Sequence, residues 1–375
     1  MNVINILRSI KHRAKSYLTK DDYYISKVSD NAPWVYFSYI PEVYAHIDDE
    51  AYMSGHQARQ ETVKMVEVFN ELGYNVYLQN FATVKPLPNI KPEIVIGLEP
   101  NFNRACKKWP NAKKVFFATG AYYKHANRQI TSMTDYINKT YGSHIPYRRM
   151  TKDHDANELS DVILQIGSSY TIATYPAGIQ NKIQIIDQSS QGVTAAQKTY
   201  APENEYLFMG SSGNVLKGVS LLIEYFSKHQ DLNLHIVGPI EDDFHKAMSH
   251  LITPNIQLHG FLNVNGSEMK ELVARSNFLV YPSGTEGGCP GAVINVMKRG
   301  LIPIVTPWAA FDGLEDVGFV MREWSVDSLA EGIEWSKSLS KDEIEKRSMI
   351  AITISNQKYS LPRFTQQFKD FITNL

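Results

Sequence analysis

The stretch NFLVYPSGTEGGCPGAVINVMKRGLIPIVT (277–306) predicts a strand, a turn, a helix and a second strand in direct succession. Its first segment, NFLVYPS (277–283), and its last, LIPIVT (301–306), are apolar and predict buried strands. The helix between them begins near Pro290 and is closed by Gly300. This succession is typical of a parallel α/β sheet.

The same alternation extends on both sides of this stretch. In the C-terminal half, strands are predicted at EYLFMG (205–210), LNLHIVG (232–238), IQLHGF (256–261) and GFVM (318–321). In the N-terminal half, they are predicted at WVYFSYI (34–40), YNVYLQ (74–79), EIVIGL (93–98), KVFFAT (114–119), VILQIG (162–167) and KIQIID (182–187). A helix is predicted near 56–72, ended by Gly73. Two consecutive arrays of similar length predict two sheets with a cleft between them, where ligands bind beyond the carboxyl ends of the strands.

The predicted domains follow from these arrays. We expect an N-terminal α/β domain over 31–190 and a C-terminal α/β domain over 204–355. The small and polar segment 189–204 connects them. The last helical segment, within 356–375, is expected to pack back toward the N-terminal domain. Residues 1–30 form a separate basic, amphipathic segment.

Composition excludes several classes of protein. The 375 residues are 43% apolar and 21% charged, which is typical of a globular chain. A net charge of −1 gives no indication of a nucleic-acid partner. The two cysteines, Cys106 and Cys289, are too few for a disulfide framework and lack the spacing of a metal site. Without a secretory signal or an apolar run of roughly 20 residues, a cytoplasmic location is expected.

Residues 1–20 combine an apolar stripe with basic residues. The apolar side chains recur at helical spacing, and five Lys or Arg side chains surround them. Such a helix can lie on an anionic membrane surface, which would place the protein at the periphery of the inner membrane. A helix packed on its own domain, or a frayed terminus, explains the pattern equally well.

The segment SSGNVLKG (211–218) has the composition of an anion-binding turn. It follows a predicted strand and precedes an apolar helix. Unpaired backbone amides and the positive end of the helix favour phosphate, and Lys217 adds a full charge. Taken alone the signal is weak, because a lysine before a helix is usually only solvated surface.

The segment Glu286-Gly287-Gly288 precedes the helix in 277–306. Consecutive glycines at a helix start let the backbone come close to a pyrophosphate. A carboxylate beside them can accept hydrogen bonds from sugar hydroxyls and so orient a sugar. Taken alone, Glu286 is better explained as a helix cap.

Together these segments resemble the retaining GT-B glycosyltransferases of the GT4 family, known as glycosyl transferases group 1. The motifs come in the family's order and at about its spacing over roughly 204–350. The matching residues are Gly210, Lys217-Gly218, Ile236-Val237-Gly238, His259-Gly260-Phe261, Pro282-Ser283, Glu286-Gly287, Met297, Gly300 and Ile304-Val305-Thr306.

The resemblance implies two Rossmann-like domains with parallel sheets facing a central cleft. The N-terminal one, 31–190, would be the acceptor domain, and the C-terminal one, 204–355, the donor-nucleotide domain. The resemblance also implies that Lys217 contacts the donor phosphates and that Glu286 contacts the transferred sugar, with Gly210, Gly218, Gly287 and Gly288 lining the donor site. No metal or other cofactor is required, because the lysine and the helix N-terminus balance the leaving diphosphate.

Two positions depart from the family pattern. In the family, an arginine normally follows the glycine that corresponds to Gly210. Here Ser211 takes its place. The family's second glutamate, which binds the ribose, lies eight residues after the first, where this chain has Ile294. With one inserted residue, Asn295 aligns there and can hydrogen-bond a ribose hydroxyl less strongly than a carboxylate. These departures put activity in doubt and leave the fold unaffected.

The N-terminal half resembles the family more loosely. Gly55-His56 lies where the family has glycines that face donor and acceptor; His56 either contacts phosphate or acceptor or caps a helix. His125 is the candidate for the family's histidine near the reacting carbon, against the alternative of an exposed helix residue. Thr119 and Tyr122 are the other candidates to line that pocket. Tyr122 and Tyr123 are suited to stacking on an acceptor sugar, and equally to packing in a core.

The function these observations favour is transfer of a hexose from a nucleotide-diphosphate sugar to a glycan or lipid-linked acceptor in bacterial cell-surface polysaccharide synthesis. A catalytically degenerate GT-B module that binds sugar nucleotide or glycan is the first alternative, motivated by Ser211 and Asn295. A UDP-sugar epimerase is the second, which the Lys-Gly and Glu-Gly-Gly pattern disfavours.

Overall fold

The structure is a computed structural model that describes residues 22–190, 192–193, 198, 200 and 204–375. The predicted basic helix over 1–20 lies outside these residues, as does most of the predicted connector between the two halves. Among the described helices, none has the length and apolar character that a bilayer span needs.

Seven strands form the first sheet, in the order β1-β3-β2-β4-β5-β6-β7. Strand β2 pairs in parallel with β3 and β4, and β4 pairs in parallel with β5. Strand β1 lies antiparallel to β3 at one edge. The strands are β1 (Tyr23–Ser26), β2 (Trp34–Tyr39), β3 (Asn75–Asn80), β4 (Pro92–Gly97), β5 (Lys113–Ala118), β6 (Val162–Ile166) and β7 (Ile183–Ile186).

Six strands form the second sheet, in the order β10-β9-β8-β11-β12-β13, and every pairing in it is parallel. These strands are β8 (Glu205–Met209), β9 (Asn233–Val237), β10 (Ile256–Gly260), β11 (Phe278–Tyr281), β12 (Ile302–Val305) and β13 (Phe319–Val320). The predicted α/β class with two mainly parallel sheets is confirmed.

Fourteen α-helices connect and follow these strands within the described residues. They are α1 (Glu50–Ser54), α2 (Gln57–Glu71), α3 (Asn101–Lys108), α4 (Tyr123–Tyr141), α5 (Ala156–Leu159), α6 (Ser169–Ile172), α7 (Ala177–Gln180), α8 (Val219–Phe226), α9 (Asp242–Met248), α10 (Ser267–Arg275), α11 (Gly291–Met297), α12 (Val326–Ser338), α13 (Lys341–Lys358) and α14 (Leu361–Thr373).

Local sequence accounts for these boundaries. In α2, Met65, Val66 and Phe69 recur at helical spacing and are buried. Gly73 follows the helix at φ +87°, in the left-handed region that ends a helix at low cost for glycine. The four central strands of the second sheet, β9, β8, β11 and β12, are mostly apolar and buried, because a parallel sheet is covered on both faces there.

The described residues divide into two compact units. The first contains 22–117, 154–164 and 365–375, and the second contains 118–153 and the described part of 165–364. The sequence analysis assigned 118–153 to the N-terminal domain. In the structure this segment belongs to the second unit, because Met133, Ile137 and Ile145 are buried in the same apolar core as β8 and α8.

In the first unit, helix α14 packs on α2. The ring of Phe368 is buried and meets that of Phe69 edge-on, with 5.4 Å between the ring centroids. On the surface beside them, Lys369 Nζ lies 2.9 Å from Glu71 Oε2. Residues near the C-terminal end of the chain thus complete the core of this unit.

Candidate donor site

Two turns that the sequence presents as separate signals pack against each other in the second unit. The Gly284 amide donates to Leu216 O at 2.8 Å, and Ser283 Oγ donates to the same carbonyl at 3.2 Å. Gly218 has φ +72°, and a Cβ there would lie 2.0 Å from Pro282 O. Only glycine fits at this crossing, which brings Lys217 and Glu286 into one site.

Lys217 is buried at the base of this site, with 6% of its surface exposed. Its Nζ donates to Ser211 Oγ at 2.9 Å and lies 5.9 Å from the centroid of the Tyr281 ring. Burial lowers the pKa of Lys217, and the nearby Glu286 carboxylate acts in the opposite direction. An anion placed beside the ammonium would offset the cost of burying it.

Glu286 contacts the same tyrosine from the other side. Its Oε1 accepts hydrogen bonds from Tyr281 Oη at 2.9 Å and from Ser283 Oγ at 3.3 Å. Burial, and then the Glu286 charge, raise the pKa of Tyr281 well above its ordinary value, so the phenol remains a donor. The residue before α11 is Pro290, and no side chain caps that helix. The helix-cap explanation for Glu286 is therefore wrong.

The segment 211–218 was expected to present unpaired backbone amides. In the structure, two of these amides are paired. The Glu241 carboxylate accepts from the amides of Gly213 at 2.7 Å and Asn214 at 3.2 Å. In return, Asn214 Oδ1 accepts from the Glu241 amide at 2.8 Å. A protein carboxylate therefore occupies these two donors, because α9 begins directly beside the turn.

Other backbone segments of the protein pass close to Gly287 and Gly288. A Cβ on Gly287 would lie 2.6 Å from Thr119 O, and one on Gly288 would lie 2.8 Å from Gly167 Cα. Gly288 also has φ +88°. The groups that approach these glycines in the structure are the protein's own, and the predicted approach of a pyrophosphate stays a prediction.

The remaining donor-site candidates lie close to these residues in sequence. A Cβ on Gly210 would lie 3.1 Å from Lys217 Cδ, so this glycine leaves room for the lysine stem. Ser211 is exposed and accepts the lysine hydrogen bond. Asn295 is buried in α11 beside Ile294, and its ribose contact stays a prediction.

The candidates at the start of α4 lie in a mostly buried environment. Tyr122 is buried, with its ring centroid 5.1 Å from that of Tyr123 and 5.2 Å from that of Tyr175. The two tyrosines therefore pack as core in the structure. His125 is half-buried, 5.6 Å from Trp308 by ring centroids, and burial lowers its pKa. Its Nε2 has no hydrogen-bond partner among the described residues.

Gly55 and His56 lie in the first unit. His56 is the residue before α2, and its Nδ1 accepts from the Ala58 amide at 3.2 Å. The helix-capping alternative for His56 is therefore the one that the structure contains. The contact with phosphate or acceptor stays a prediction.

Sequence reasoning missed three residues of the site: Arg149, Glu241 and Tyr281. Tyr281 was assigned only to a strand, and Glu241 was not singled out. Arg149 lies beside the turn, with its Nη1 3.3 Å from Ser212 O. The Arg148-Arg149 pair is the only signal that could have drawn attention to it. Within the described part of the chain, no cluster of three or more His, Cys, Asp or Glu side chains could hold a metal ion.

Residues 203–336 match the family model described as glycosyl transferases group 1. No curated protein sequence matches the chain.

Three solved structures illustrate the likeness in fold. A sucrose-phosphate synthase from Thermosynechococcus elongatus is 10% identical, covers 92% of this chain and 99% of its own, and has a TM-score of 0.59. HepE from Anabaena, in complex with UDP-glucose, is 11% identical; the match covers 92% of this chain and 100% of HepE, with a TM-score of 0.56. A glycosyltransferase from Rickettsia africae is 15% identical, with 92% and 100% covered and a TM-score of 0.54. The predicted GT-B fold and the resemblance to group 1 glycosyltransferases are confirmed.

Proposed function

We propose that this chain is a glycosyltransferase that moves a hexose from a nucleotide-diphosphate sugar to a glycan or lipid-linked acceptor in bacterial cell-surface polysaccharide synthesis. The observation that carries the proposal is the convergence of a buried cation and a held carboxylate, Lys217 and Glu286, on Tyr281. The match of residues 203–336 to group 1 glycosyltransferases supports it.

Lys217 has the position and environment of a phosphate ligand. Its ammonium is held at the base of the turn, where burial strengthens its interaction with an anion. A diphosphate beside it would keep the lysine protonated and gain charge-assisted hydrogen bonds. In the proposed reaction this lysine stabilises the leaving diphosphate, so no metal ion or other cofactor is required.

Glu286 is placed to orient the sugar. Its Oε1 is held by two protein hydroxyls, whereas its Oε2 makes no hydrogen bond within the described residues. A carboxylate so fixed accepts hydrogen bonds from sugar hydroxyls without reorganising. We propose retention of configuration on the family resemblance, with attack on the face that the leaving group vacates. His125 then stays the candidate near the reacting carbon.

The first experiment is a thermal-shift screen with UDP, GDP, ADP and their sugars. A ligand that binds the folded chain raises Tm by mass action, so one nucleotide series should stabilise the parent. Lys217→Met, which keeps the volume and removes the charge, should abolish that shift. Lys337→Met is the matched control, because Lys337 is exposed and pairs with Glu334. A parent that none of the nucleotides stabilises would contradict the proposal.

A lipid-linked acceptor would give the basic segment 1–20 a role in holding the protein at an anionic membrane. Deleting residues 1–20 should then release the protein from vesicles that contain anionic lipid. Binding that persists after the deletion would exclude this role. The deletion leaves the described units complete, so its thermal shift with nucleotide serves as the control.

A second candidate function is a GT-B module that binds sugar nucleotide without turnover. Ser211 and Asn295 favour it, and so does the Glu241 carboxylate that already occupies two amides of the turn. The two functions differ in turnover. The binding module is excluded if the parent transfers or hydrolyses the bound nucleotide sugar and Glu286→Gln loses this activity while it keeps its nucleotide affinity.

A further inference from the structure

An arginine from a distant part of the chain is held over the phosphate turn. Arg149 lies in the segment after α4, and its Nη1 is 3.3 Å from Ser212 O. A Cβ on Gly213 would lie 3.1 Å from Arg149 Cδ, so the glycine makes room for the arginine side chain. Both residues line one depression in the surface, together with Leu216 and Glu241.

The backbone of Arg149 is strained into this position. Its φ is +61°, in the left-handed region, which is unfavourable for a residue with a side chain. Strain of this kind persists where the surroundings impose it, and such positions cluster at ligand sites.

Anchors on both sides impose the conformation. On one side, the Arg148 guanidinium makes two hydrogen bonds to the Asp243 carboxylate of α9, at 2.9 and 2.6 Å. On the other, Thr151 and Asn127 exchange two hydrogen bonds, at 2.8 and 2.9 Å. Arg149 and Met150 are the two exposed residues between a fixed ion pair and a fixed turn.

The charges at the turn are arranged for an anion. Within the described residues, neither Arg149 nor Lys217 is in an ion pair, although each is close enough to affect the other. Burial has the largest effect on the pKa of Lys217 and lowers it; Glu286 acts against this, and the Arg149 charge lowers the pKa further. Glu241 is bonded to amides of the turn, and Glu286 to hydroxyls.

A guanidinium has five N–H donors, and Arg149 uses one of them in the described structure, toward Ser212 O. The others are available to a ligand with several acceptor oxygens in a small volume. A diphosphate fits this description, since its oxygens suit the planar fork of a guanidinium.

We propose that Arg149 binds the diphosphate of the nucleotide donor together with Lys217, and so supplies from another segment the guanidinium that Ser211 cannot provide. This inference rests on the proposed function. It assigns the donor site a residue that the donor-binding sequence motif does not contain.

The test uses Arg149→Gly in the full chain. Glycine adopts φ +61° without strain, so the variant should keep or raise Tm while losing the guanidinium. Isothermal titration measures the affinity of whichever of UDP, GDP and ADP stabilises the parent. We expect this affinity to fall about 10- to 100-fold. The affinity of the corresponding nucleoside, which lacks phosphate, should not change.

Two further variants complete the test. Arg149→Lys keeps a positive charge but lacks the planar guanidinium. Its affinity for the nucleoside diphosphate should lie between those of the parent and of Arg149→Gly. Arg322→Ala removes an exposed arginine that pairs with Glu331, and should leave affinity unchanged. If Arg149→Gly binds the nucleoside diphosphate within twofold of the parent while Lys217→Met does not bind it, the inference is wrong and the proposed function stands. Equal losses for nucleoside and diphosphate, with a lower Tm, would also overturn it. If the parent binds no nucleotide, both fail.

Discussion

The polar side chains of the candidate donor site are held by partners that lie far away in sequence. Lys217 and Glu286 are visible in the sequence because each belongs to a glycine-containing turn after a strand. Tyr281, Glu241 and Arg149 are not visible, because their roles depend on which turns meet in space. A hydrogen bond such as that from Tyr281 to Glu286 follows from the packing of β11, and no local pattern predicts it.

Removing the Tyr281 hydroxyl should affect turnover more than binding. In Tyr281→Phe, Glu286 Oε1 keeps only the longer hydrogen bond from Ser283, so the carboxylate is positioned less well. We expect kcat to fall about 10- to 100-fold with nucleotide affinity unchanged. Steady-state kinetics with the donor identified by the screen measure this split.

The matched control is Tyr206→Phe. Tyr206 is equally buried in β8, and its hydroxyl pairs with Ser336 at 2.8 Å. Both substitutions should cost about 1 kcal/mol in stability, but only Tyr281→Phe should lower kcat. Equal kcat values for the two variants would assign Tyr281 a purely structural role.

The buried ammonium of Lys217 should make stability depend on pH. Burial lowers its pKa in the folded chain, whereas the unfolded chain keeps its proton up to about 10.5. Between these two values the unfolded state binds more protons, so the free energy of unfolding rises with pH. In Lys217→Met this contribution is absent. The Tm of the parent relative to that of Lys217→Met should therefore rise as pH increases from 7 to 10, without nucleotide. A constant difference would contradict the prediction.

The positions of strands and helices were predicted more completely than the contacts between these elements. The buried strands of both sheets agree with the apolar runs, because an unbroken apolar run bounded by turns indicates a strand covered on both faces. The antiparallel edge strand β1 was missed, since YYIS (23–26) is short and partly exposed. A helix at His125 was one of the alternatives, but the bounds of α4 were not predicted, because KHANRQITSMTDYINKT is mostly polar and only one stripe of it is buried. The left-handed conformation of Arg149 could not be predicted, because it is imposed by anchors on other elements.

The crossing of the two turns depends on one glycine. In Gly218→Ala, the new Cβ would meet Pro282 O at 2.0 Å while the residue stays at φ +72°. We expect a loss of about 2 to 5 kcal/mol, together with loss of the nucleotide-induced shift. Chemical denaturation measures the stability.

Gly260→Ala is the control that distinguishes the steric clash with Pro282 from the cost of a left-handed backbone. Gly260 also has a left-handed φ, +64°, but a Cβ there would meet nothing within 4 Å. Its substitution should cost only about 1 to 2 kcal/mol and leave nucleotide binding intact. Equal losses at the two glycines would show that the contact with Pro282 does not matter.

The described residues form two compact units, and both are discontinuous in sequence. The predicted domains 31–190 and 204–355 follow the two strand arrays, but residues 118–153 pack in the core of the second unit. Periodicity indicates which residues are buried; it does not indicate in which unit. Arg149 belongs to this reassigned segment, so the same limit explains why its place beside the phosphate turn was not foreseen.

The return of the chain to the first unit should matter for its stability. Phe368→Ala removes a buried ring that packs on Phe69, and we expect a loss of about 3 to 5 kcal/mol. Phe371→Ala, on the same helix but only half-buried, should cost less. Thermal unfolding compares the two. The nucleotide-induced shift should persist in both, because neither residue lies in the unit that contains Lys217. An unchanged Tm in Phe368→Ala would contradict the assigned packing.

The discontinuity of the first unit also sets an order of events during translation. Residues 22–117 leave the ribosome early, yet the ring that covers Phe69 arrives only after 165–364 have been made. At roughly 5–20 residues per second, the interval in which the 251 residues after Phe117 and up to Phe368 are made is about 13 to 50 s. Throughout it, the nascent chain presents an uncovered apolar surface on α2. The core of the first unit can therefore be completed only after the second unit has been synthesised.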